Sequence, residues 1–141
     1  MKRELEQRIT KRWPAWFKAA GNRSETLMGL GFEHGDGWFG LVWRLCEGLE
    51  PFVASAERKA GRPFEVLQVK EKFGGLRFYT NFVGDTISAL IDAAAFESTK
   101  TCEVCGMSNS RQRGSWITTR CDQHADASRT RSLFGATRRR Q

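Results

Sequence analysis

The pattern Cys102-x2-Cys105, fifteen residues, then Cys121-x2-His124 constrains this chain more than any other feature. A two-residue spacing lets a tight turn aim two donors at one point. Two such pairs joined by a loop are what tetrahedral coordination of a single ion requires. Gly106 follows the first pair, where the turn needs a residue tolerant of positive φ. The intervening loop has room for a short hairpin, with Trp116-Ile117-Thr118-Thr119 as its returning strand, and Cys121–His124 falls where a helix would begin. The expectation is one structural zinc ion held by Cys102, Cys105, Cys121 and His124 in a treble-clef-like or ribbon-like finger. Four protein ligands leave no open position, which points away from a catalytic ion. A redox CxxC would have no second ligand pair, and disulfides would need an oxidising compartment.

The first residues, MKRELEQRIT, are charged and lack the apolar stretch of a signal peptide. No apolar run approaches the ~20 residues of a membrane span. The expected setting is therefore the cytoplasm. The formal net charge is +7, and it is unevenly placed. Residues 111–141 hold eight arginines (Arg111, Arg113, Arg120, Arg129, Arg131, Arg138, Arg139 and Arg140), no lysine, and only Asp122 and Asp126. The fifteen basic and fourteen acidic residues before them nearly cancel. A zinc with three thiolates and one imidazole adds about −1 and leaves the asymmetry in place. The planar guanidinium fork suits phosphate and carboxylate alike, so the arginines are candidate contacts to nucleic acid or to an acidic protein surface.

The rest reads as an α+β chain. Leu5, Ile9, Trp13, Trp16 and Phe17 predict a helix over 3–20, which Pro14 either kinks or divides. Four glycines predict a loop over 21–35. Asp36 is the expected cap of a long amphipathic helix whose apolar positions run 38, 41, 42, 45, 49, 52, 53 and 56. Pro51 kinks or restarts that helix, and Gly61 ends it. Residues 64–82 alternate and predict a β-hairpin turning at Gly74-Gly75. Leu67, Val69, Leu76, Phe78 and Thr80 are expected inside, with Gln68, Lys70, Arg77 and Tyr79 outside. Asp85 is the expected cap of a helix over 86–98. Forty per cent hydrophobic residues, including five Trp and ten Phe, suffice for a real core. The expected organisation is a helix-and-hairpin core over 1–99, a zinc finger over 100–128 and an Arg-rich, partly mobile tail over 129–141.

Three other groups invite a chemical reading. Glu33, His34 and Asp36 cluster in a glycine-rich loop; the structural reading, a cap and loop residues, is favoured over an acid–base or second metal site. Cys46 sits beside the apolar helix face as an inert thiol. The 70–79 stretch mixes charge with aromatics; a hairpin with a solvated outer face is favoured over a sheet that stacks bases.

Gly35-Asp36-Gly37-Trp38-Phe39, the stretch Gln68-Val69-Lys70-Glu71-Lys72-Phe73-Gly74-Gly75-Leu76-Arg77-Phe78-Tyr79, and the finger ending at His124 occur together. The combination resembles a group of small uncharacterised zinc-finger-containing proteins encoded by phages and prophages. The resemblance covers roughly residues 35–125. It carries no activity and implies a mobile-element setting in a bacterial host. The expected role is binding without catalysis, through an Arg-rich finger on nucleic acid. The alternative is an inhibitor or adaptor that docks on a host protein complex through aromatics such as Trp16, Phe39 or Tyr79. No membrane and no small-molecule substrate is expected.

Overall fold

The computed structural model describes residues 1–20 and 27–125. The tail over 129–141, with Arg129, Arg131, Arg138, Arg139 and Arg140, lies outside the described residues.

The first helix, α1 (Arg3–Arg12), is shorter than the apolar spacing predicts. It stops at Trp13, whose φ of −125° and ψ of 61° leave the helical region one residue before Pro14. A residue preceding proline is pushed out of the α region by the ring. Trp13, Trp16 and Phe17 are nevertheless all buried. They enter the core from turns, Trp13 stacking on Trp16 at 5.9 Å and Trp16 meeting the edge of Phe64.

After a 3-10 turn at Leu27–Leu30 comes β1 (Phe32–Glu33), a two-residue strand inside the stretch expected to be loop. Asp36 does not cap the long helix. It opens a 3-10 turn, Asp36–Trp38, and its carboxylate accepts the Lys2 backbone N–H at 2.7 Å. The helix itself, α2 (Phe39–Ala60), runs through Pro51 without ending or restarting. Its buried stripe is Leu41, Val42, Leu45, Cys46, Leu49 and Val53, while Phe52 is partly exposed. Gly61 closes it in the left-handed conformation, φ 68°, with its N–H on the Glu57 carbonyl.

Strands β2 (Val66–Lys72) and β3 (Gly75–Thr80) pair antiparallel, and β1 lies parallel on the other side of β2. The turn residues are Phe73 and Gly74, one position earlier than expected. Both have positive φ, 53° and 76°, as a type I′ turn requires. A bulge between Val66 and Gln68 shifts the alternation. Val66 therefore joins Val69, Leu76 and Phe78 in the core, Leu67 is only half-buried, and Gln68 is buried instead of exposed. The third helix, α3 (Asp85–Ser98), starts with Asp85 inside its first turn and packs on both α2 and β3. Ile87 and Ala94 are its buried apolar residues. No helix among the described residues is long and apolar enough to cross a membrane.

Candidate metal centre

The finger begins where α3 ends. The turn at Cys102–Gly106 closes with the Gly106 N–H on the Cys102 carbonyl at 2.8 Å, and Gly106 has φ 79°. The chain then forms β4 (Arg111–Arg113) and β5 (Thr118–Arg120), an antiparallel pair. The returning strand starts two residues later than expected, so Trp116 and Ile117 belong to the turn. Cys121 precedes a single 3-10 turn, Asp122–His124.

These elements bring the four predicted donors together, all four ligand atoms lying within 4.8 Å of one another. Cys105 Sγ is 3.8 Å from Cys121 Sγ, Cys102 Sγ is 3.6 Å from His124 Nδ1, and Cys121 Sγ is 3.1 Å from the same nitrogen. Tetrahedral bonds of about 2.3 Å to sulfur and about 2.0 Å to nitrogen imply S···S edges of about 3.8 Å and S···N edges of about 3.5 Å. The separations are consistent with one metal site. Burial pushes the Cys102 thiol up, but hydrogen bonds with the backbone of Cys121, Cys105 and Val104 overcome it and bring it down to about 6. The Met107 backbone draws Cys105 down, yet burial and the neighbouring sulfurs of Cys102 and Cys121 leave it above the ordinary thiol value. Three thiolates at this spacing repel one another unless a cation neutralises them. Cys46 is separate. It is fully buried in α2, and burial with the charges of Glu50 and Glu47 pushes its thiol far up, which leaves it inert.

Two distant segments seat the finger. Gly37 donates to the Glu103 carbonyl at 2.8 Å, Gly35 donates to Glu103 Oε1 at 2.9 Å, and the buried Trp38 Nε1 donates to the Thr101 carbonyl at 2.8 Å. On the other side, the fully buried Thr119 hydroxyl donates to the Gly74 carbonyl, and Gln112 Nε2 donates to the Phe73 carbonyl at 3.1 Å. The Gly35–Trp38 stretch thus holds the Cys102–Gly106 knuckle, and the β2–β3 turn holds the β4–β5 hairpin. Both stretches stand out in the sequence, but their packing on the Cys/His segment does not.

The described arginines divide sharply. Arg120 is 17% exposed and lies 3.8 Å from Glu103 Oε2, whose carboxyl is pushed up by burial against the pull of that same arginine. Arg113 bonds the Asp122 carboxylate and donates Nε to the Arg120 carbonyl at 3.1 Å. Asp122, fully exposed, is drawn below the usual carboxylate range by the hydrogen bond from Arg113 and the charges of Arg113 and Arg111. Of these three, Arg111, 72% exposed and 3.7 Å from Asp122, points largely into solvent. Of the aromatics expected at a docking surface, Trp16 is buried and Phe39 is half-covered by the Arg8 guanidinium at 4.7 Å, while Tyr79 is accessible.

His34 is 5% exposed, with its ring at the edge of Phe32 and against Trp38. Nδ1 donates to the Gly35 carbonyl at 2.8 Å, and Nε2 has no hydrogen-bond partner among the described residues. Burial lowers its pKa to about 4. The unfolded chain, titrating near 6.5, therefore takes up this proton first, and stability falls as pH drops from 6.5 towards 4. Between pH 7 and pH 5 the group accounts for a loss of about 2 kcal/mol. Urea unfolding of His34→Asn at the two pH values is expected to show a pH dependence smaller by that amount than wild type; an equal dependence would refute the assignment.

Comparison with known protein families, curated proteins and solved structures returned no match to this chain.

Proposed function

We propose that this chain is a non-enzymatic zinc protein of phage or mobile-element type, working in the cytoplasm of a bacterial host, whose Arg-rich C-terminal part contacts nucleic acid. The ion is zinc, and the finger is of the treble-clef or ribbon kind. The observation that carries the reading is the charge step: eight arginines and two aspartates in residues 111–141, attached to a closed four-donor metal cluster. Arginines neutralise phosphates and release their counterions on binding.

A gel-shift titration over increasing salt tests it. Retardation at low salt that weakens steeply as salt rises is expected; no retardation even at low salt refutes it. The arginine partners sharpen the test. Arg111→Ala is expected to change stability by less than about 0.5 kcal/mol and to lower the salt slope by about 1. Arg120→Ala is expected to cost about 1–3 kcal/mol of stability, since it strips the counter-charge from the largely buried Glu103.

The second reading is a protein-directed inhibitor or adaptor. It is favoured by the exposed Trp116 and the accessible Tyr79, residue types enriched at binding hot spots. A pull-down from nuclease-treated host lysate separates the two, because a protein partner survives the treatment.

A further inference from the structure

The finger and the β2–β3 turn share an open groove of about 370 Å³ that includes Lys70, Lys72, Phe73, Trp116 and Ile117 among its walls. Trp116 is 84% exposed and Phe73 is 65% exposed. Neither ring stabilises the core. Phe73 is also costly where it stands. A bulky residue at φ 53° is in the left-handed region that glycine or asparagine fills more easily in a type I′ turn. Turn formation therefore does not explain a phenylalanine here, and burial does not explain the tryptophan.

The walls of the groove are fixed relative to each other. Thr119 and Gln112 bond the Gly74 and Phe73 carbonyls, so the two aromatic turns are held in one arrangement. The edge of the groove is cationic. Lys72 Nζ lies 5.5 Å from the Phe73 ring centroid, and Lys70 pairs across the strands with Arg77 on the same outer sheet face. One carboxylate, Glu71, lies between the two lysines in the groove lining and accepts the Gly74 N–H at 2.6 Å, while Glu33, beside Lys70, accepts from Gln68.

We propose that this groove binds single-stranded nucleic acid, with unpaired bases stacking on Trp116 and Phe73 and the phosphates meeting Lys70 and Lys72. The proposal rests on the nucleic-acid reading above and adds which form is bound and where. Exposed aromatic rings read the faces of bases, which a duplex hides and a single strand offers. Cations around the rings match a phosphodiester backbone, whereas an apolar peptide would leave them without partners.

The test uses the zinc-loaded full chain, a short oligothymidylate and a duplex of equal length. Trp13, Trp16 and Trp38 are buried and Trp43 is half-buried, so the quenching that is lost in Trp116→Phe reports the groove. Oligothymidylate is expected to quench it and to bind more tightly than duplex. Trp116→Ala is expected to weaken binding about tenfold or more, with Trp116→Phe recovering most of the loss. The double variant Lys70→Ala/Lys72→Ala is expected to lower the single-strand salt slope by about 1.4. Zinc content and melting temperature equal to wild type show that each variant is folded. Strand binding with no quenching and no effect of Trp116→Ala overturns the groove alone; if that binding still depends on Arg111, the nucleic-acid reading stands. Failure of both strand and duplex to bind overturns both. Capture of an apolar peptide by the groove, with no strand binding, also overturns the proposal.

Discussion

Metal analysis of the purified protein is expected to find one zinc per chain, and chelation is expected to unfold residues 100–125. The reason is how little else holds that segment. Its buried residues are Thr101, Cys102, Ser110, Thr119 and Cys121, with no large apolar side chain among them. A segment without a core of its own depends on its staple. Structural zinc in finger peptides contributes about 10–16 kcal/mol, comparable with or above the ~5–15 kcal/mol net stability of a whole domain. Removing the ion leaves three crowded sulfurs, two of them buried.

The effect is expected to reach beyond the finger. Trp38 loses the Thr101 carbonyl that satisfies its buried indole N–H, and Gly74 loses Thr119. The remaining core should therefore melt at lower temperature, with Trp38 emission shifted to the red. Hydrogen exchange over 100–125 is the direct measurement. Exchange unchanged by the chelator, or metal well below one per chain, would sink the assignment. Cys121→Ser is expected to reproduce the chelated state.

The clustering of Cys102, Cys105, Cys121 and His124 is legible in the sequence because their spacing is a covalent constraint, local and short. The buried stripe of α2 and its Gly61 stop are legible for similar reasons, since helical period and a left-handed cap are local rules. The failures are non-local. Trp16 and Phe17 fit a helical stripe yet reach the core from turns, because burial depends on what the chain packs against and not on its period. The bulge at Leu67 reverses the alternation over the start of β2, and nothing in the local residues announces it. Gly74-Gly75 marks a turn without saying which pair of residues forms it. The arginine count cannot show that Arg113 and Arg120 are occupied by Asp122 and Glu103, nine and seventeen residues away. The largest omission is the role of Gly35 and Gly37, which only the fold explains.

Gly37→Ala is expected to be among the most destabilising single substitutions in the chain. A Cβ at Gly37 would lie 2.2 Å from the Cys102 carbonyl oxygen, 2.6 Å from the Gly106 nitrogen and 2.7 Å from the Glu103 carbonyl carbon. All three are backbone atoms of the metal knuckle, so no rotamer change makes room. The Asp36–Trp38 turn and the knuckle must separate by about an ångström, which costs about 1–3 kcal/mol in overpacking alone. Separation also stretches the Gly37–Glu103 and Trp38–Thr101 hydrogen bonds, the latter buried, at about 1–3 kcal/mol for a donor left unpaired. The combined loss is about 2–6 kcal/mol, or roughly 6–24 °C in melting temperature for a chain of this size. Gly48→Ala is the matched control: it lies inside α2, its Cβ meets nothing within 4 Å, and it is expected to stabilise by about 0.5–1 kcal/mol. Because the displaced atoms belong to the turn that aims Cys102 and Cys105, Gly37→Ala should also release zinc to a competing chelator faster, and Gly48→Ala should not. Thermal melts and chelator competition on the three proteins decide the matter. A Gly37→Ala protein that melts within a few degrees of wild type and holds its metal as firmly would show that the glycine stretch is not the seat of the finger.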